Sequence, residues 1–184
     1  MPSEKEIIGV LPIGDVTDPV PNIIAAHISG YFNLDAHVLP TLDLPRGALD
    51  HQRLQYDAGR LIDILETKHN PNYLKCIAVL NVDIFVPIFT HVFGEARQGG
   101  AVAVVSLFRL NDPSQPHGGV FERIAKIALH ELGHLFNLEH CDNAKCLMHF
   151  SGSLADLDQL SLNLCRYCRL FFKDAPYSPT AENG

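Results

Sequence analysis

Apolar positions divide the first two thirds of the chain into segments with strand spacing and segments with helix spacing. Residues 6–14 (EIIGVLPIG) and 73–86 (YLKCIAVLNVDIFV) are nearly continuous apolar runs, which predict buried strands. Residues 20–32, which follow Pro19, have apolar side chains at helical spacing and predict a helix. Two prolines within residues 36–45 predict an interrupted or edge-like strand, because proline cannot donate a hydrogen bond to a sheet.

The same alternation continues toward the middle of the chain. Residues 50–69 predict a helix with one polar face, because Leu54, Leu61, Ile62 and Leu65 fall on a single apolar stripe. This helix would cover the sheet that the neighbouring strands form.

A hairpin and a long helix are predicted next. Residues 91–110 read as two strands around a turn, with the sequence RQGG at 97–100 forming the turn. A polar loop rich in proline and glycine follows at residues 111–119. Residues 120–136 then have the apolar spacing of one long helix.

The pattern changes after His140 to a loop that carries cysteines. Residues 154–172 predict a closing helix, with Ser153 and Asp156 as a capping pair at its start. The final residues, 174–184, predict a disordered tail.

Strands that alternate with helices and then give way to a loop-rich end predict an α/β sheet covered by helices, with a small subdomain after it. A length of 184 residues suits one compact unit with a substantial core. We expect residues 1–140 to form an N-terminal α/β subdomain that carries the long helix. Residues 141–173 are expected to form the small C-terminal subdomain, ahead of the tail.

Charge and composition argue against several classes of partner. The chain has 14 Lys plus Arg and 21 Asp plus Glu, a net charge of −7, so we expect no nucleic-acid partner and no membrane binding through a basic surface. No apolar run reaches the roughly 18 residues of a transmembrane helix. The opening sequence MPSEKEIIGV lacks the cationic and apolar regions of a secretory signal, so we expect a cytoplasmic protein.

The sequence HELGHLFNLEHC, residues 130–141, concentrates metal-binding side chains in the second half of the predicted long helix. His130 and His134 are four residues apart, roughly 40° around the helix and ~6 Å along it, so both imidazoles can reach one tetrahedral zinc ion. Glu131 is rotated by about 100° from His130, which suits a general base acting on a water molecule beside the ion better than it suits a ligand.

His140 is the candidate for the third ligand. A continuous helix would carry His140 about 9 Å beyond His134 and turn it away, so the helix has to end between the two residues. Asn137 lies where the chain must bend, and asparagine tolerates the left-handed conformation that ends helices. We interpret Gly133 as clearance for close packing. The sequence therefore predicts a zinc site formed by three histidines.

Four of the five cysteines form a second candidate site. Cys141 and Cys146 are separated by four residues, Cys165 and Cys168 by two, and four thiolates complete a tetrahedral zinc shell with no open position. We therefore predict a structural zinc site. The alternatives are a redox dithiol at Cys165 and Cys168, which leaves the other pair unexplained, and a zinc ribbon that reads nucleic acid, which the acidic charge disfavours. Cys76, inside LKCIAVL, is expected to be a buried and inert strand residue.

The order H-E-x-x-H-x-x-N-x-x-H resembles the signature of the metzincin metalloproteases, in which glycine occupies the position of Asn137. The pattern is more narrowly similar to the archaemetzincin family, which adds C-x4-C-x-M and a distal CxxC. The resemblance implies a metzincin-like zincin fold, with a mixed, twisted sheet, a long active-site helix and a small cysteine-rich zinc subdomain. It also implies that Met148 forms an apolar floor beneath the histidines and that HVFGEA, residues 91–96, is the edge strand along which a peptide lies.

The function that follows is a monomeric zinc-dependent metallopeptidase with two zinc ions per chain. The substrate would be a peptide or protein segment, bound extended in a cleft between the sheet and the cysteine-bearing subdomain, with Glu131 as general base. Two alternatives remain open at this point: a zinc hydrolase acting on a non-peptide amide or ester, and a scaffold protein that holds zinc without turnover.

Overall fold

The computed structural model describes residues 7–111 and 119–174, which form eight strands and five α-helices. In chain order the strands are β1 (Ile7–Ile13), β2 (Asp35–Val38), β3 (Leu49–Asp50), β4 (Gln55–Asp57), β5 (Lys75–Leu80), β6 (Ile84–Phe85), β7 (Gly94–Ala96) and β8 (Val102–Ser106). The helices are α1 (Val20–Phe32), α2 (Ala58–Glu66), α3 (Val120–Leu135), α4 (Leu154–Gln159) and α5 (Arg166–Asp174).

The main sheet has five strands in the order β2-β1-β5-β8-β7. The first four are parallel, and β7 pairs antiparallel with β8 at the edge, so the sheet is mixed as expected. Every residue of β5 and β8 is buried, which explains the uninterrupted apolar runs in the sequence. The strand predicted to be edge-like from its prolines is β2, and it does lie at the opposite edge.

Helices cover both faces of this sheet. Alternate strand residues, such as Ile77 and Val79, pack with α1 and α3 in one apolar cluster. The residues between them, such as Ala78 and Leu80, pack with α2 in a second cluster. Because side chains of a strand alternate between faces, this layered α/β arrangement needs an apolar residue at nearly every position of the central strands.

The helix predicted for residues 50–69 is wrong in its first half. Residues 49–57 form β3, a turn and β4, and only α2 is helical. Leu54, which was placed on the apolar stripe, has a φ of 55° in the turn and is 78% exposed. Pairing of β4 with β6 in a second, three-stranded sheet replaces the helical hydrogen bonds there, and the Asp57 side chain caps α2 by accepting from the Arg60 N–H.

The single buried strand predicted for residues 73–86 is two strands. The chain leaves the main sheet after Leu80 and enters the second sheet as β6. The turn between them is fixed by Ser106, whose hydroxyl donates to the Val82 carbonyl at 2.6 Å. The sequence pattern does not predict this change of sheet, because apolar residues continue on both sides of the turn.

The closing helix predicted for residues 154–172 is also interrupted. Its capping pair is confirmed, since Ser153 Oγ accepts from the Asp156 N–H at 3.2 Å and donates to the Asp156 carboxylate at 2.7 Å. Residues 160–165 then separate α4 from α5. The backbone of this break bonds the cysteine loop instead, with Leu147 N–H donating to the Asn163 carbonyl at 3.1 Å.

The helix predicted over residues 120–136 is confirmed as α3, and the hairpin predicted over 91–110 is β7 and β8. Most of the predicted loop (residues 112–118) and of the predicted tail (175–184) lies outside the described residues, while Asp174 is the last residue of α5. None of the described helices is long and apolar enough to cross a membrane.

Segments after His140 share the core of the sheet domain. Met148, Leu157 and Phe172 belong to the same apolar cluster as α1 and α3. The boundary at residue 140 therefore remains a prediction about subdomains that share one core.

Candidate active-site cleft and metal centres

The end of α3 reverses the chain and returns His140 toward the helix. Asn137 has a φ of 66°, the left-handed conformation that the sequence predicted for the bend. Its N–H donates to the His134 carbonyl at 2.9 Å, and the Leu138 N–H donates to the Gly133 carbonyl at 3.0 Å. These two bonds form the Schellman arrangement, in which the last carbonyls of a helix are satisfied by the residues that turn away from it.

The turn between β7 and β8 packs against this helix end. The Gly99 N–H donates to the His134 carbonyl at 2.9 Å, and Gly99 itself has a φ of +68°. A Cβ atom on Gly99 would lie only 2.6 Å from Asn137 Oδ1. Lys75 Nζ donates to the carbonyls of Gly99 and Gly100 at 3.2 and 2.8 Å, and burial lowers the pKa of this amine. The sequence did not predict the contact between Lys75 and this turn, because no local sequence pattern indicates it.

The three predicted histidines come together. Their ligand atoms lie within 4.8 Å of one another, and the group could hold a metal ion. His130 Nδ1 donates to the Leu147 carbonyl at 2.8 Å, and His134 Nδ1 donates to the Leu138 carbonyl at 2.7 Å. Backbone carbonyls only accept, so each of these rings carries its proton on Nδ1.

That proton placement leaves two lone pairs facing each other. The Nε2 atoms of His130 and His134 are 3.1 Å apart, and neither has a proton to share. A cation between them removes the repulsion, and two nitrogens on a tetrahedral zinc lie about 3.3 Å apart for Zn–N distances of ~2.0–2.1 Å. The donor set therefore fits zinc, and metal-binding histidines typically donate their other ring nitrogen to a carbonyl that orients the ring, as these two do.

All three imidazoles are held in the form that binds metal. Burial lowers the pKa of His130 to about 3, with the neighbouring His134 adding to the effect. Burial also lowers the pKa values of His134 and His140. Neutral imidazole is the ligand form, so the site needs no deprotonation at neutral pH.

Glu131 lies beside the histidines in a buried position. It is 7% exposed, and burial raises its pKa well above the ordinary value, with Glu95 adding to the effect. A Cβ atom on Gly94 would lie 2.7 Å from Glu131 Oε1, so only glycine lets the edge strand β7 approach this carboxylate. A cation held by the histidines would favour the ionised form of Glu131.

Met148 packs tightly against α3. It is fully buried, and a Cβ atom on Gly133 would lie 2.5 Å from its Sδ atom. The interpretation of Gly133 as clearance is therefore confirmed, and the residue that needs the space is Met148. The preceding residue, Leu147, supplies the carbonyl that orients His130.

The four predicted cysteines also come together. Cys141, Cys146, Cys165 and Cys168 are free thiols whose sulfur atoms lie within 4.8 Å of one another, and the group could hold a metal ion. Cys141 Sγ and Cys165 Sγ are 3.8 Å apart, too far for a disulfide. Sulfurs on a tetrahedral zinc with Zn–S distances of ~2.3 Å lie about 3.8 Å apart, so this donor set fits zinc as well.

The two candidate centres are joined by a short stretch of backbone. Cys141 directly follows His140, and its N–H donates to the Met148 carbonyl at 2.9 Å. His149 Nδ1 donates to the Cys141 carbonyl at 2.7 Å. Anchoring of Cys141 consequently helps to fix the backbone at Met148 and beside the third histidine.

A cavity of about 800 Å³ contains both the histidines and Glu131. One wall is β7 with the loop before it, the floor is α3, and the remaining wall is the segment after Met148. Sequence reasoning missed several apolar residues that line it: Phe89, Phe150, Leu157 and Leu160. Phe89 and Phe150 lie in loops, and Leu157 and Leu160 lie in the short helix α4 and at its end, where residue spacing carries no signal for a cavity.

Comparisons with known proteins point to one family. Residues 19–173 match the family model described as Peptidase family M54. An archaemetzincin of Haloquadratum walsbyi is 34% identical over 169 residues, which cover 88% of this chain and 96% of the relative. The crystal structure of archaemetzincin from Methanopyrus kandleri has a TM-score of 0.82 at 32% identity, covering 94% of this chain and 96% of that one. A zinc-dependent peptidase from Methanocorpusculum labreanum has a TM-score of 0.79 at 26% identity, covering 90% and 99%.

Proposed function

The chain belongs to peptidase family M54, the archaemetzincins, and from that premise we propose that it hydrolyses peptide bonds with zinc held by His130, His134 and His140. The observation that carries the proposal is the pair of facing Nε2 atoms, 3.1 Å apart, on rings whose other nitrogen already donates to a carbonyl. Such a pair lacks a proton and calls for a cation.

Glu131 is the proposed general base. Zinc at the histidines would lower the pKa of a water molecule and polarise the scissile carbonyl. Glu131 lines the same cavity as His130 and His134, and its burial makes it a strong proton acceptor. It takes the proton from the attacking water and then gives a proton to the leaving amine, so the carboxylate returns to its starting form.

The substrate is a peptide or a protein segment that lies along β7. Within residues 7–111 and 119–174, β7 pairs only with β8 in the main sheet, so its outer edge is available there for an added strand. Gly94 brings the backbone of that edge against Glu131. A peptide paired with β7 would therefore present its backbone to the carboxylate and to the three histidines.

The four-cysteine group is the proposed structural zinc site. Four sulfur ligands leave no position for water, so this centre would have no part in the reaction. Its role is to fix Cys141, and through it the adjacent His140. Four free thiols held together suit a reducing compartment, and we propose that the chain works in the cytoplasm as a monomer.

Of the alternatives, a scaffold that only stores zinc would not require Glu131, since three histidines suffice to hold the ion. A hydrolase of small amides or esters would be favoured by a narrow cavity, whereas the cleft here has about 800 Å³ beside the edge strand β7. Peptide hydrolysis is the function that these features support best.

The test compares wild type with Glu131→Gln on a mixture of synthetic peptides, followed by mass spectrometry. We expect the variant to retain its zinc and to lose hydrolysis by a factor of about 10² or more. Glu122→Gln is the matched control, because Glu122 lies on the same helix but is exposed and pairs only with Lys126 in the described contacts. Hydrolysis that survives in Glu131→Gln would refute the assignment of the base.

A further inference from the structure

Two phenylalanine rings from opposite walls meet across the cleft. Phe89 lies in the loop between β6 and β7, and Phe150 lies two residues after Met148. Their ring centroids are 6.0 Å apart with planes inclined by 27°, and both residues line the cavity. Both rings remain substantially exposed, at 42% and 48%, so the contact lies at the mouth of the cleft.

The loop that carries Phe89 is held in place by its backbone. Arg53 Nη2 donates to the carbonyls of Phe89 and Thr90 at 3.1 and 3.2 Å. The largely buried Gln55 adds a bond from Nε2 to the Thr90 carbonyl at 2.9 Å, and Asp83 accepts a second bond from the same amide. The position of Phe89 is thus set by polar contacts made outside the cleft.

The other ring is anchored next to the proposed metal site. Phe150 packs edge-on against His140, with ring centroids 5.5 Å apart. The Phe89–Phe150 pair, which we call the aromatic bridge, therefore begins one ring away from the third histidine. Stacked aromatic pairs contribute favourable energy beyond the burial of their area, which favours contact between the two rings of the bridge.

We propose that the aromatic bridge closes one end of the cleft, so that a bound peptide extends no more than about three residues past the scissile bond on that side. This inference rests on the proposed function. Centroid distances of 5.5 and 6.0 Å separate His140 from Phe150 and Phe150 from Phe89. The two distances together set an upper limit on the separation of His140 and Phe89. An extended chain advances about 3.3 Å per residue, so no more than about three residues fit between these two rings.

The closed end accepts the carboxyl side of the scissile bond. Phe89 precedes β7 in the chain, so the bridge lies toward the start of that strand. A peptide that pairs antiparallel with β7 has its carboxyl end toward the start of β7, and antiparallel pairing is slightly more stable per residue than parallel pairing. The substrate class is then short peptides and flexible carboxyl termini. Internal loops of folded proteins would have to continue through the bridge.

Peptide hydroxamates of increasing length test the limit by binding alone. The hydroxamate group anchors on zinc, and the chain is extended from one to six residues toward either the carboxyl or the amino side. For wild type, we expect the affinity of the carboxyl-side series to fall at least tenfold between three and five residues. The amino-side series should show no such fall. Phe89→Ala combined with Phe150→Ala should remove the limit.

Ile88→Ala is the matched control, since Ile88 is in the same loop, is 83% exposed and does not line the cavity. Ile88→Ala should keep the wild-type dependence of affinity on peptide length. The zinc content and Tm of the double variant show whether its site is intact. A flat profile in wild type, a limit on the amino side, or an unchanged limit in a folded, zinc-loaded double variant would overturn the inference. If no hydroxamate binds, the proposed metal centre is refuted and the inference falls with it.

Discussion

Replacing Gly99 by alanine should loosen the end of the active-site helix. Gly99 has a φ of +68°, and its N–H bonds the His134 carbonyl at 2.9 Å. A Cβ atom there would lie 2.6 Å from Asn137 Oδ1. The substitution therefore strains the backbone and also pushes on the residue whose left-handed conformation directs the chain to His140.

Two contributions set the size of this effect. An L residue in the left-handed region costs roughly 1–2 kcal/mol, and a methyl group forced against a packed neighbour costs about 1–3 kcal/mol. We expect Gly99→Ala to lower the free energy of unfolding by about 2–4 kcal/mol, which corresponds to a fall in Tm of roughly 5–15 °C for a chain of this size. In an Asn137→Gly background the amide that meets the new Cβ is gone, so only the ~1–2 kcal/mol of backbone strain should remain.

Denaturant unfolding of the wild type, both single variants and the double variant measures this coupling. Competition with a chelator measures zinc affinity in the same four proteins, and Gly99→Ala should weaken the zinc that is removed first. Gly30→Ala is the control, because Gly30 lies in a helix and no atom comes within 4 Å of its Cβ position. An effect of Gly99→Ala that is the same in both backgrounds would refute the clash with Asn137.

Three further predictions concern residues away from the cleft. Burial raises the pKa of Cys76 to about 12, so iodoacetamide near neutral pH should leave this thiol unlabelled until the protein unfolds; mass spectrometry that finds rapid labelling would contradict its burial. Arg123→Met should lower the free energy of unfolding in urea by about 2–3 kcal/mol, less than for a fully buried pair, because Asp158 is 37% exposed; a change under about 0.5 kcal/mol would contradict this. A hydrogen bond from Arg109 lowers the pKa of Asp83 against the opposing effect of burial, so the pair adds stability at neutral pH that is lost as the pH falls through the folded pKa. Arg109→Met should therefore lower the free energy of unfolding at pH 7, and should lower it little at an acidic pH at which Asp83 is protonated. An equal loss of stability at the two pH values would argue against the pair.

Much of the site could be predicted because its signals are local. The spacing of His130 and His134 fixes their relation on a helix, and the order of residues up to His140 requires a bend that Asn137 provides. The four cysteines follow from their spacing in the same way. Such predictions depend on helix geometry and donor chemistry, which a few consecutive residues determine.

The features that could not be predicted depend on contacts between distant segments. The strand β4 is held between β3 and the distant β6, so the apolar stripe that includes Leu54 gave a wrong helix prediction there. Position 99 needs glycine because a Cβ atom there would meet the side chain of Asn137, which follows it by 38 positions in the chain. The aromatic bridge likewise joins loops whose sequences show no periodicity.

Zinc per chain, measured by elemental analysis before and after a mild chelator, shows whether the three histidines hold a metal ion. We expect two zinc ions in wild type, of which the chelator removes one quickly. His134→Ala should retain only the tightly held ion, because the substitution removes the Nε2 atom that faces His130. A single ion in wild type, or the same zinc content in wild type and His134→Ala, would contradict the three-histidine centre.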